Sequence, residues 1–80
     1  MSQERSSDLY YSAYLMAVGA TFVRADRTPH GGRRQVHFVF EIRGAVDELR
    51  AAWVNETAEV NAVDFKDAIL KLKSLVHTLE

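Results

Sequence analysis

The stretch Arg33-Arg34-Gln35-Val36-His37-Phe38-Val39-Phe40-Glu41-Ile42 decides the fold that this sequence predicts. Successive residues of a β-strand point to opposite sides, so Val36, Phe38, Phe40 and Ile42 share one apolar face. The alternation therefore predicts a strand with one face buried and the other face open.

The residues before this strand predict its partner. Residues 20–26 are rich in β-branched and aromatic side chains, and residues 28–32 contain the proline and glycines typical of a turn. The two strands are expected to form an antiparallel hairpin. Because an isolated hairpin is marginal in water, its apolar face must be covered by the flanking segments.

Those flanking segments have the periodicity of helices, which are predicted at residues 8–18, 45–54 and 62–78. Ser6, Ser7 and Asp8 offer side chains that cap the first helix, and Gly19 can end it. Asn61 is a suitable cap for the last helix. The last helix has the clearest apolar stripe, and its opposite face carries polar groups: Lys66, Asp67, Lys71, Lys73, Ser74 and His77.

The predicted architecture is thus a single α+β two-layer domain with the order α-β-β-α-α, an antiparallel β-hairpin covered by helices. It spans residues 8–80, and residues 1–7 are expected to form a flexible N-terminal tail. A chain of 80 residues that is 48% apolar suits one small core.

The composition also excludes several classes of chemistry and predicts a location. The chain has no cysteine, which excludes disulfides, a thiolate nucleophile and cysteine metal ligands. No apolar run approaches the roughly 18 residues that span a bilayer, and the N-terminus lacks the apolar core of a signal peptide. We therefore expect a cytoplasmic protein without a membrane partner.

The hairpin is unusually basic. Between Thr21 and Arg43, five arginines face two acidic residues, which gives this segment a charge of +3 although the whole chain is near neutral. Arg24, Arg27, Arg33 and Arg34 are candidates for contacts with nucleic-acid phosphates. A second interpretation is that the arginines protect a strand edge from unwanted pairing.

The first helix is apolar or aromatic on nearly every side. One small sheet face cannot shield such a helix, so the helix is either central to the fold or covered by a second subunit, and a homodimer is predicted. The candidate self-association residues are Tyr10, Tyr11, Tyr14 and Leu15, in a twofold homodimer.

No residue pattern predicts catalysis, a metal or a cofactor. His30, His37 and His77 lie on a turn, a strand and a helix end without ligand spacing, and His37 is interpreted as a solvated neighbour of Glu41. Trp53 is spaced with Val46 and Leu49 as a core residue rather than as a stacking platform. We therefore predict a protein that is not an enzyme.

Four segments together resemble a known family: Ser7-Asp8-Leu9-Tyr10-Tyr11-Ser12-Ala13-Tyr14-Leu15, Arg33-Arg34 before the aromatic strand, Val60-Asn61-Ala62-Val63-Asp64-Phe65, and Leu70-Lys71-Leu72-Lys73-Ser74-Leu75-Val76. They resemble a small bacterial and phage family catalogued only as a domain of unknown function. The resemblance covers nearly the whole chain and implies no catalytic residues. The expected function is an interaction module that self-associates or recruits a protein partner. The alternative is an accessory nucleic-acid-binding protein that uses the arginine-rich hairpin.

Overall fold

The strand predicted from the alternating pattern is the centre of a three-stranded sheet. A computed structural model describes residues 2–30 and 33–79 of the chain. Its elements are β1 (Ser2–Ser6), α1 (Leu9–Ala17), β2 (Thr21–His30), β3 (Arg33–Ile42), α2 (Val46–Val54) and α3 (Ala62–Leu79). The strand order is β1-β3-β2, and β3 is antiparallel to both neighbours. The predicted α+β class is confirmed.

The predicted element order lacks the first strand. Ser2–Ser6, which was expected to lie in a flexible tail, pairs with β3 from Ser2 opposite Ile42 to Ser6 opposite Phe38. Its helix-facing positions are Ser2, Glu4 and Ser6, which are all polar. The segment therefore lacks the apolar alternation by which a strand is recognised.

The second strand is longer than predicted. It continues through Thr28, Pro29 and His30, which were assigned to the turn, and pairs with β3 as far as His30 opposite Arg33. Proline is tolerated here because β2 is an edge strand, whose outward N–H groups need no partner in the sheet. The predicted turn residues Gly31 and Gly32 lie outside the described residues.

All three helices pack on one face of the sheet. Phe38, Phe40 and Ile42 are at most 3% exposed and meet α1 and α3, where Ala68 and Leu72 are also buried. Residues of α2 are only partly buried against this core. The two-layer arrangement is therefore confirmed, with the core between the sheet and the helices.

The local signals at the helix ends act as predicted. The Asp8 side chain accepts hydrogen bonds from the backbone N–H groups of Tyr10 and Tyr11, at 2.8 and 3.1 Å. Asn61 accepts from two N–H groups in the same way at the start of α3. Gly19 follows α1 with a φ of +104°, a conformation that glycine adopts without strain. These contacts fix where α1 and α3 begin and where α1 ends.

In the described part of the chain, residues 2–30 and 33–79, no helix covers the opposite face of the sheet. It is mostly polar, but Val39 on this face is only 2% exposed. Its cross-strand neighbours are Arg5 on β1 and Arg24 on β2. We attribute the burial of Val39 to the aliphatic stems of these two arginines, which can lie over an apolar surface while their charged ends stay in water.

Within residues 2–30 and 33–79, no helix combines the length and the apolar character needed to cross a bilayer.

Candidate functional site

A groove of about 500 Å³ opens between the start of α1, the start of β3 and the second half of α3. We call it the α1–α3 groove. Its floor is formed by Leu9, Val36, Phe38 and Val76. Three of these side chains are only partly buried in the chain itself, while Phe38 is a core residue. The groove therefore presents apolar surface that the fold leaves open to solvent.

The rim of the α1–α3 groove is polar, and none of the described residues that form it is acidic. It is formed by Ser7, Gln35, Lys73 and His77. Arg27 lies beside it, because Arg27 pairs with Val36 across the hairpin and directly paired residues of antiparallel strands share a face. Neither Arg27 nor Lys73 forms an ion pair within the described part of the chain. The groove thus combines an apolar floor with two uncommitted cations.

A second cluster joins β1, α1 and α2 through the carboxylate of Glu4. Both carboxylate oxygens of Glu4 are used: Arg50 donates to them at 2.7 to 2.9 Å, and the Tyr11 hydroxyl donates to Oε2 at 3.0 Å. The Glu4 side chain is 11% exposed, whereas that of Arg50 is half exposed. The cluster is therefore a partly buried, charge-assisted network.

The network changes the acidity of its members. Burial, followed by the hydrogen bond to Glu4, raises the pKa of Tyr11 from 10.0 to about 12. The hydrogen bond and charge of Glu4 also raise the pKa of Arg50. The Tyr11 phenol therefore keeps its proton, and the Arg50 guanidinium its charge, at neutral pH.

This cluster borders a cavity of about 470 Å³, but its polar groups are already committed to one another. Glu4 has accepted bonds on both oxygens, and Tyr11 and Arg50 donate to it. This network links three elements of the fold, and the Glu4 carboxylate is not free to act as a base. We therefore assign the Glu4 cluster a structural role and regard the α1–α3 groove as the candidate functional site.

The structure does not place the predicted arginines on one face. Arg24 pairs with Val39 and Arg27 pairs with Val36, positions on opposite faces of β3. Arg24 is also engaged, since its Nε lies 3.2 Å from both carboxylate oxygens of Asp26. Arg33 and Arg34 begin β3 at the far end of the hairpin, and their side chains lie outside the described part of the structure.

The predicted self-association residues are mostly inside the domain. Tyr11, Tyr14 and Leu15 are 8%, 2% and 0% exposed, and only Tyr10 is largely exposed. Self-association through these four residues stays a prediction, although the fold of the single chain buries three of them. The physical reason is that β1, α2 and α3 together cover sides of α1 that a hairpin alone would leave open.

The remaining predicted residues have ordinary environments. Trp53 packs against the core and stacks on Tyr14 with ring centroids 5.2 Å apart, which confirms its interpretation as a packing residue. His37 is half-buried, and its Nδ1 lies 3.3 Å from the Thr28 hydroxyl, so its close neighbour is Thr28 rather than Glu41. Among residues 2–30 and 33–79, no group of three or more metal-ligating side chains occurs.

No family model, curated protein or solved structure matches this chain. The resemblance to a bacterial and phage family therefore stays a prediction, and the function has to be argued from the surface of the molecule.

Sequence reasoning missed both the groove and the Glu4 cluster. The groove combines residues from α1, β3 and α3 that are far apart in the chain, and no local pattern marks their meeting. Glu4 was overlooked because β1 was assigned to a tail. Had residues 2–6 been assigned to a strand, Glu4 would have been placed opposite Phe40 on the covered face of the sheet. A carboxylate in that position indicates a partner of opposite charge.

Proposed function

We propose that this chain is a non-enzymatic interaction module that binds an acidic, apolar segment of a partner protein in the α1–α3 groove. The observation that carries the proposal is an apolar floor flanked by Lys73 and Arg27, with no acidic side chain among the described residues that line the groove. The volume of about 500 Å³ lies within the range of roughly 300–1,000 Å³ typical of ligand sites and accommodates one or two large apolar side chains.

The floor supplies the favourable free energy of binding. Leu9, Val36 and Val76 are half-buried in the free chain, so an apolar side chain placed on them removes further apolar surface from water. Burial of one large aliphatic side chain contributes on the order of 1.5–3 kcal/mol before the entropic cost of association. An apolar anchor alone therefore binds weakly and without much selectivity.

The cations supply the selectivity. Carboxylates beside the apolar anchor meet Lys73 and Arg27, whereas a basic segment places like charges together. Complementary charge of this kind selects among partners and accelerates association more than it strengthens binding. The expected partner is thus a segment in which large apolar residues are flanked by Asp or Glu.

The proposal is tested by titrating the 15N-labelled protein with a peptide of sequence Glu-Glu-Leu-Leu-Glu-Glu and following amide chemical shifts. We expect shifts concentrated at Leu9, Val36 and Val76. The same peptide with lysines in place of the glutamates should bind at least fivefold more weakly. Equal affinity for both peptides, or shifts confined to another surface, would overturn the proposal.

A matched pair of variants locates the binding site. Lys73→Glu should weaken the acidic peptide at least fivefold, because it reverses a charge on the rim. Lys71→Glu introduces the same change of charge on α3 at an exposed position that does not line the groove, and should leave affinity within twofold of the wild type. An equal loss in both variants would show a nonspecific charge effect and contradict the assigned site.

A further inference from the structure

The strand β3 is paired from its first residue on the β2 side, but only in its second half on the β1 side. β2 pairs with it as far as His30 opposite Arg33, whereas β1 ends at Ser6 opposite Phe38. Within residues 2–30 and 33–79, no strand pairs with residues 33–37 of β3 on the β1 side. The backbone N–H and C=O groups that point to that side therefore form an open sheet edge.

The α1–α3 groove lies at this open edge. It is lined by Gln35 and Val36, consecutive residues whose side chains point to opposite faces of the sheet. A groove that touches both residues reaches the strand backbone between the two faces. Ser7, which directly follows β1, also lines the groove, whereas Thr28, which pairs with Gln35 from β2, does not. The groove is therefore on the β1 side of β3, beside its unpaired residues.

We propose that the partner segment binds as an extended strand, which pairs with residues 33–37 of β3 and continues the sheet beyond the end of β1. This inference rests on the proposed function, since the occupant is the same acidic, apolar segment, and it adds the conformation that the segment adopts. Strand addition takes its affinity from backbone hydrogen bonds and its selectivity from pockets for alternate side chains. The groove provides both, because its apolar floor adjoins the unpaired backbone.

The geometry of a strand sets the side-chain pattern of the partner. Successive residues point to opposite faces, so an apolar residue placed over Val36 and Val76 has the residues two before and two after it on the same side. These residues lie about 7 Å away along the strand, where carboxylates meet Lys73 and Arg27. The expected segment therefore reads acidic-x-apolar-x-acidic, and residues 33–37, roughly 16 Å long, accommodate these five positions.

Charge identifies an acidic strand, rather than a second copy of this edge, as the occupant. The unpaired stretch Arg33-Arg34-Gln35-Val36-His37 contains two arginines and no acidic residue. Two copies paired through it would bring four arginines into one short ribbon, and like charges on facing strands oppose association. An acidic segment has the complementary charge.

The outer edge of β2 is less suited to strand addition. It contains Pro29, which lacks an N–H donor, and an irregularity in the pairing between Phe22 and Arg24. Prolines and bulges both hinder the pairing of a further strand. Residues 33–37 of β3 contain no proline, and their register with β2 is regular. The edge at the groove therefore remains open to a partner strand.

N-methylated peptides test the proposal. The parent peptide Glu-Thr-Leu-Thr-Glu places its leucine and both glutamates on one face of a strand, and its binding is followed by amide chemical shifts of the 15N-labelled protein. One variant is N-methylated at the leucine, and a second at the threonine that follows it. Because the N–H groups of successive residues in a strand point to opposite edges, only one of these two amides can bond to β3. We expect one variant to bind at least tenfold more weakly than the parent, and the other to bind within threefold of it.

The outcomes distinguish this proposal from the proposed function. If both variants bind as tightly as the parent, with shifts at Leu9 and Val76, side chains alone hold the segment, so the strand is overturned and the proposed function stands. An equal loss of affinity in both variants also overturns the strand, because the required alternation is absent. If the parent fails to bind while Glu-Glu-Leu-Leu-Glu-Glu binds, the pattern deduced for a strand is wrong. If neither peptide binds, both proposals fail.

Amide hydrogen exchange provides a second measurement that needs no modified peptide. An amide of β3 that points to the open edge has no partner in the sheet of the free protein, and should exchange at least tenfold more slowly when the parent peptide is bound at saturation. Amides of residues 33–37 that are already bonded to β2 are the internal control and should change little. Chemical shifts at the groove without slower exchange anywhere in residues 33–37 would overturn the proposal.

Discussion

Glu4 shows how one residue can organise several elements. It lies on the helix-facing side of β1 opposite Phe40, where an apolar side chain would be expected. The Arg50 guanidinium balances its charge, and the Tyr11 hydroxyl donates a hydrogen bond to it. A buried carboxylate is tolerated only when it is hydrogen-bonded in this way. The cost of removing it depends on the partners that stay behind.

We expect Glu4→Ala to lower the free energy of unfolding by about 1–3 kcal/mol, because the buried Tyr11 hydroxyl loses its acceptor. Asp47 lies 3.7 Å from the same guanidinium but is 96% exposed, so Asp47→Ala should cost no more than about 0.5 kcal/mol. Urea unfolding measures both changes. A similar cost for the two variants would contradict the structural role assigned to Glu4.

Tyr11 should make the stability depend on pH in the alkaline range. Its pKa is about 12 in the folded chain and about 10 when unfolded, so the unfolded chain loses the proton first. The stabilisation is complete below pH 10 and is lost as pH rises towards 12, by an amount on the order of 2 kcal/mol. Urea midpoints measured between pH 9 and 12 should fall less steeply for Tyr11→Phe than for the wild type. If the urea midpoints of the wild type and Tyr11→Phe fall in parallel with pH, Tyr11 does not cause the pH dependence.

At the scale of the elements, a helix or strand could be predicted where its apolar periodicity and capping residues agree with its burial in the fold. The start of α3 at Ala62 and the apolar face of β3 follow from periodicity and capping. The strand β1 was hidden because its inward positions are polar, and the length of β2 was hidden because Pro29 is acceptable only at an edge. Periodicity reports which side chains are apolar. The existence of β1 and the length of β2 depend instead on which strand edges of the sheet have unpaired backbone groups.

The hairpin decides whether the nucleic-acid alternative is viable. Four phosphate contacts would give a log–log dependence of affinity on salt of roughly −3.6 for duplex DNA. Because Arg24 and Arg27 lie on opposite faces and Arg24 is bound to Asp26, we expect a clearly shallower slope for any binding that is measured. Fluorescence anisotropy at several salt concentrations provides the measurement. A slope near −3.6 that is halved in Arg33→Ala/Arg34→Ala would favour the nucleic-acid function.

At the scale of the whole molecule, stability depends on one core between two layers. Phe38 lies at its centre, 2% exposed, among residues of β3, α1 and α3. Phe38→Ala should therefore lower the free energy of unfolding by about 3–5 kcal/mol, enough to unfold much of so small a domain.

Two companion variants keep this prediction testable if Phe38→Ala does not fold. Phe38→Leu preserves much of the volume and should cost less than about 1.5 kcal/mol. Tyr10→Ala removes an exposed ring and should change stability little. Thermal melts in which Tyr10→Ala is as destabilised as Phe38→Leu would contradict the assignment of core and surface.

The pairing of β1 with β3 also has a consequence for the order of events during synthesis. Ser2 pairs with Ile42, so the ribosome completes β1 long before its partner exists, whereas β2 and β3 are close in sequence and can pair as soon as both have emerged. Pulsed hydrogen exchange during refolding should accordingly protect amides of the hairpin before those of β1. Before β3 is available, β1 has an unpaired backbone that could associate with other strands. The polar side chains of β1, which give it no apolar alternation, keep this unpaired segment hydrated.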